Sequence, residues 1–138
     1  MRYFPISTSF SFVLLSSILF LSSCSDSEKI EYHGISGTVT YKNKPLPYGT
    51  IIFEPDASAG NTGAQGFASI ENGTYNTKLD GRGILGGPYT VFISGQAQKT
   101  DAEAGIIPPP LFPDFQMKVN LPTATTTQNF DVPAQTQQ

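Results

Sequence analysis

The 138-residue chain has no tryptophan, one cysteine and one histidine. A single cysteine excludes an intramolecular disulfide, and with one histidine beside it excludes the Cys/His sets of structural zinc sites. A Ser–His–acid triad would have to use His33, which lies at the N-terminal edge of the folded region, where an exposed edge histidine is the plain alternative. Charge is also scarce: 14% of residues are Asp, Glu, Lys or Arg, and the net charge is −3. Long helices laced with ion pairs are disfavoured on that count. So is a nucleic-acid partner, which needs a basic stripe to face phosphate.

Glycine and proline, by contrast, are plentiful, at thirteen and eleven residues. With many Thr, Ser and Asn they favour short strands and frequent turns. The length suits one domain.

The N-terminal segment reads as an address. Arg2 supplies a basic start, and Phe10 to Leu21 is an apolar run interrupted by serines. A bilayer-spanning helix needs about 20 apolar residues, so this shorter run fits the core of a signal peptide. It ends in Leu21-Ser22-Ser23-Cys24, which resembles the bacterial lipobox: an aliphatic residue, two small ones, and the cysteine that is lipidated. The expectation is a signal peptide over 1–23, acylation (palmitate or a similar chain) on Cys24, and a lipidated N-terminus and tether over 24–33. Two or more acyl chains, at ~0.8 kcal/mol per buried CH₂, anchor stably. By resemblance to lipoprotein sorting rules, Ser25 after the cysteine favours the outer membrane over the inner, while Asp26 pulls the other way.

Residues 34–133 read as one domain, with a polar tail over 134–138. Alternation places Ile35, Val39 and Tyr41 on one face of a first strand, Gly34 to Lys42. Asn43 to Pro47 is expected as the turn into a second strand, Tyr48 to Glu54, and Asp56 to Gly63 as a flexible loop. Ala64 to Ile70 and Thr74 to Leu79 flank Asn72-Gly73, the strongest hairpin signal in the chain, with Tyr75 and Leu79 expected on one side. Pro88 to Ser94 carries Tyr89, Val91 and Ile93 on one face and Phe92 on the other, as a central or interface strand would. Met117 to Leu121 and Thr126 to Val132 close the set. Seven strands without a long amphipathic helix predict an all-β fold, a seven-stranded antiparallel β-sandwich of Ig-like architecture.

The same residues resemble a known family. Ile35-Ser36-Gly37-Thr38-Val39-Thr40, Lys44-Pro45-Leu46-Pro47 and Thr50-Ile51-Ile52-Phe53-Glu54-Pro55 resemble the opening of carboxypeptidase regulatory-like domains. Asn72-Gly73-Thr74-Tyr75, Gly86-Gly87-Pro88-Tyr89-Thr90-Val91 and Asn129-Phe130-Asp131-Val132 resemble its later motifs. Asn43 stands where the family has Gly, and Tyr48 where it has a small residue. The resemblance implies a transthyretin-like (prealbumin-like) sandwich without chemistry of its own, serving as an accessory or binding unit. Hydroxyisourate hydrolase occupies a related sandwich, but it uses several histidines and a C-terminal Tyr-Arg-Gly-Ser, which this chain lacks.

Candidate sites are few, and no cofactor or metal is expected. Asp56 or Asp80 could serve a calcium loop, but acidic clustering is missing. Asp101 and Glu103 could form a carboxylate pair, although acids in a loop more often serve solvation. Tyr32, Tyr41, Tyr48, Phe67, Phe92, Phe112 and Phe115 are the aromatics a ligand platform could draw on. The connection Gly95 to Gln116 is long for a compact domain, and its apolar residues Ile106, Ile107, Leu111 and Phe112 form a candidate recognition segment; the alternative is a crossover covering one edge. The expected function is that of a lipid-anchored, non-catalytic binding or scaffolding module contacting another envelope protein. The alternatives are a carbohydrate- or small-ligand-binding domain with clustered exposed aromatics, and, less favoured, a hydrolase.

Overall fold

The structure, a computed structural model, describes residue 1 and residues 30–81 and 83–134. Cys24, nearly all of the expected signal peptide, and most of the C-terminal tail lie outside the described residues. What is described is all-β: a mostly antiparallel sheet that curls around one hydrophobic core.

Strand β1 (Ile35–Tyr41) turns at Lys42 and Asn43 into the two-residue β2 (Lys44–Pro45). Both turn residues have positive φ, 52° and 60°, matching the twist of a tight hairpin. Strand β3 (Tyr48–Pro55) pairs antiparallel with β4 (Gly66–Glu71) on one side and β6 (Gly87–Gln96) on the other. Asn72-Gly73 makes the expected hairpin from β4 into β5 (Thr74–Asn76), with φ of 51° and 74°. One helical turn, α1 (Thr77–Asp80), follows β5. Strand β7 (Phe115–Leu121) pairs with β6, while β8 (Thr126–Thr127) and β9 (Phe130–Val132) run parallel to β1. The path across the sheet is β2-β1-β5-β4-β3-β6-β7.

Every segment expected as a strand contains one, and three local expectations are corrected. Lys44–Pro45 is a strand rather than part of a loose turn, and Leu46 beside it is fully buried. The Thr74 to Leu79 strand stops at Asn76, because the Asn76 side chain accepts the Lys78 amide at 3.0 Å and caps a helical turn instead. Leu79 is therefore not on the Tyr75 side: it is 82% exposed, whereas Tyr75 is buried. The Asp56 to Gly63 loop is pinned. Asp56 caps a 3-10 turn at Ala57–Ala59, and Asn61 donates to the carbonyls of Gly86 at 3.3 Å and Pro88 at 2.8 Å.

The core is built from the inward positions of β1, β3, β4 and β6, joined by Leu46, Tyr75, Ile84, Phe112, Leu121, Phe130 and Val132. Phe53, Tyr75 and Phe130 form a triangle of tilted rings with centroids 6.0–6.2 Å apart. Fully burying one such side chain is worth about 1.5–3 kcal/mol. The Tyr75 hydroxyl leaves the cluster by donating to the Gln128 carbonyl at 2.7 Å, and burial pushes its pKa upward.

Candidate functional site

Alternation along β3, β4 and β6 sends Ile51, Phe53, Ala68, Ile70, Tyr89, Val91 and Ile93 into the core. The intervening side chains form the outer face of the sheet β4-β3-β6-β7. Register aligns them in cross-strand rungs. Phe67, Ile52, Phe92 and Gln116 lie opposite one another on the four strands in turn. On one side of that rung come Ser69, Thr50 and Ser94, then Glu71, Tyr48 and Gln96. On the other side, Glu54, Thr90 and Lys118 are in line.

The result is an apolar rung with a hydroxyl-rich rung on one side and, on the other, a rung in which Glu54 and Lys118 flank Thr90. Phe67 is 47% exposed, and Ile52 and Phe92 are half-buried. An ion pair fences each end. Lys99, from the connection between β6 and β7, reaches the Glu71 carboxylate at 2.7 Å, which raises the lysine's pKa. Thr100 beside it donates to the Gln96 side-chain oxygen at 2.9 Å. At the other end Lys118 donates to Asp56 at 2.7 Å. The Lys118 hydrogen bond, and after it that of the Ser58 hydroxyl, hold the Asp56 carboxyl at about 2. Such a face can cover flat apolar surface and exchange hydrogen bonds through short, neutral side chains.

The residues singled out as candidates are scattered. Ile106, Ile107 and Leu111 are exposed on the β6–β7 connection, Ile107 at 78%. Phe112 is 4% exposed and belongs to the core, its ring 4.7 Å from that of Tyr41 and directly over Gly95. The connection thus covers an end of the sheet with Phe112 and holds its isoleucines outward. His33 forms a backbone bridge with Ile84 (N–H to O 2.7 Å, return bond 2.9 Å), while Asp101 pairs with Ile106 and accepts the Ala104 amide. Asp80 accepts the Ser69 amide at 2.7 Å. Among the described residues no three of His, Cys, Asp and Glu converge as metal ligands.

Of the aromatics, Tyr48, Phe67 and Phe92 share the outer face, Tyr41 packs on Phe112, and Phe115 packs against the core. Ile52 was absent from the sequence-based candidates, since only the pairing of β3 with both neighbours reveals it between two phenylalanines. Alternation along Pro88 to Ser94 sets Phe92 on the face opposite Tyr89, Val91 and Ile93, and the structure makes that the outer face.

A scan against protein-family models, a search of curated proteins and a search of solved structures find no match to this chain.

Proposed function

We propose that this chain is a lipoprotein of the bacterial cell envelope, held to the membrane through acylated Cys24. Its domain serves as a non-catalytic binding or scaffolding module for another envelope protein. The observation that supports a binding role is the Phe67–Ile52–Phe92 rung on the outer sheet face, fenced by the Lys99–Glu71 and Lys118–Asp56 ion pairs. Interface centres combine aromatic residues with few charges inside a polar rim, and this face has that order. We read the curled sheet as a transthyretin-like sandwich of the carboxypeptidase regulatory-like kind. In support, the family-like motifs fall on β1 to β3, on the β4–β5 hairpin, at the start of β6, and on β9.

Two experiments test this reading. Mass spectrometry of the N-terminal peptide from membrane-extracted protein should find acyl chains on Cys24, and Cys24→Ala should leave the membrane fraction. Unmodified Cys24 in soluble protein overturns the anchor. A photoreactive residue at Ser69, within the outer face, should crosslink in intact cells to a discrete protein, and the adduct should vanish in Ile52→Asp. Equal crosslinking from position 128, at the β8–β9 side, would overturn the assignment of the face.

A second reading, binding of a carbohydrate, is favoured by one observation: Tyr48, Phe67 and Phe92 share this face beside the hydroxyls of Thr50, Ser69 and Ser94. It predicts that soluble envelope polysaccharide, rather than a protein, competes away the crosslink.

A further inference from the structure

Leu79 is the most exposed large apolar side chain between residues 30 and 134, at 82%. Thr77, two positions before it, is fully buried, and Asp80, directly after it, accepts the Ser69 amide at 2.7 Å. The one-turn helix α1 thus holds its neighbours inward and presents Leu79 to the outside.

The Lys78 side chain lies so close to Gly34 that a Cβ there would sit 2.4 Å from the lysine Cε. Gly34 is where the chain enters the domain, and Ile30, four residues earlier, is 61% exposed. The entry point and α1 are thus adjacent, with Ile30 four residues upstream of them. Five residues, 25–29, lie between Cys24 and Ile30, so six Cα–Cα steps join them. However that stretch runs, its reach is at most roughly 22 Å, at about 3.6 Å per residue. Strand β6 alone, ten residues long, spans roughly 33 Å. A lipid on Cys24 therefore keeps Ile30 within roughly 22 Å of the headgroups.

We propose that this end of the domain rests on the anchoring membrane, with Leu79 and Ile30 inserted at the level of the headgroups. The inference rests on the acylation of Cys24 proposed above. The tether supplies a high effective concentration of bilayer, so a small apolar contact suffices to orient the domain. The charges around Leu79 are Asp80, Glu71 and Lys99 in its groove and Lys78 beside it in sequence, with Glu31 and His33 near the entry point; their signs are mixed, so contact depends on apolar insertion and not on anionic lipid. The β6–β7 connection leaves β6 at Gln96, the end paired with Tyr48, and its Lys99 lines the same groove as Leu79, with Ile107 further along it.

The chain has no tryptophan, so Leu79→Trp and Ile107→Trp each carry a sole indole reporter. Both sites are exposed, so neither substitution disturbs the core. Each full-length variant is extracted from membranes, its N-terminal peptide is checked for acylation, and it is reconstituted into phosphatidylethanolamine–phosphatidylglycerol vesicles containing acyl-brominated lipid. The expected result is a blue shift and bromolipid quenching for Leu79→Trp, unchanged by added salt, with Ile107→Trp remaining water-exposed. Acylated protein in which position 79 is as wet as position 107 overturns this inference and leaves the anchor standing. Quenching that disappears in high salt overturns apolar insertion. A chain without acyl groups overturns anchor and orientation together.

Discussion

The Thr77 hydroxyl accepts the Ile35 amide at 2.9 Å, and Thr77 is fully buried. The strand pairing of β1 with β5 ends at Ser36 and Asn76, so this side chain takes over where the backbone ladder stops. It holds α1 against the start of β1.

Replacing Thr77 by Val keeps the shape and removes the acceptor. The orphaned Ile35 amide should lower stability by about 1–3 kcal/mol, whereas Thr77→Ser should retain most of the bond. Urea unfolding of the two variants checks this. Equal midpoints for Val and Ser would show that the hydroxyl contributes packing only.

Phe112 and Ile107 lie on the same connection but should behave oppositely. Phe112→Ala opens the core beneath Gly95 and should cost about 3–5 kcal/mol. Ile107→Ser, at an exposed site, should change stability by less than about 0.5 kcal/mol. Thermal denaturation separates the two, and a silent Phe112→Ala would contradict the packing described.

The β4–β5 turn gives a backbone test. Gly73 has φ of 74°, and an added Cβ would meet Pro45 at 2.6 Å. Gly73→Ala should destabilise by at least about 1–2 kcal/mol through the left-handed conformation alone. Asn43→Gly, at the other hairpin with φ of 60°, should instead be neutral or stabilising in the same assay.

The Asp56–Lys118 pair sets a pH dependence. The folded carboxyl titrates near 2 against an ordinary value of 3.8. Its contribution is therefore complete above about pH 4 and is lost as pH falls toward 2. Denaturant midpoints measured from pH 7 to pH 2 should fall more steeply for the native chain than for Lys118→Met. Parallel curves would show that the pair contributes nothing measurable.

Much of this architecture was legible wherever local alternation and turn chemistry agree. Tyr48 to Pro55, Pro88 to Ser94 and the Asn72-Gly73 hairpin are such places. Reading failed where a side chain competes with the backbone. Asn76 diverts a strand into a helical turn, and Asp56 and Asn61 fasten a stretch whose composition reads as loose. Phe112 was hidden for another reason: prolines surround it, no periodicity marks it, and its burial depends on the glycine it covers in β6. The outer face was half legible. Its phenylalanines could be named, but their alignment with Ile52 depends on register between strands, which no single strand encodes.

The first and last strands are also neighbours: β9 runs alongside β1, and the Thr38 amide donates to the Asn129 side chain across 91 positions. A chain emerging from the ribosome cannot complete β1 until nearly all of it has been made, because closing so long a loop must precede the contacts that reward it. Strand β1 therefore gains its β9 partner last, and Phe130 and Val132 close the core only once the strands they pack against have been made.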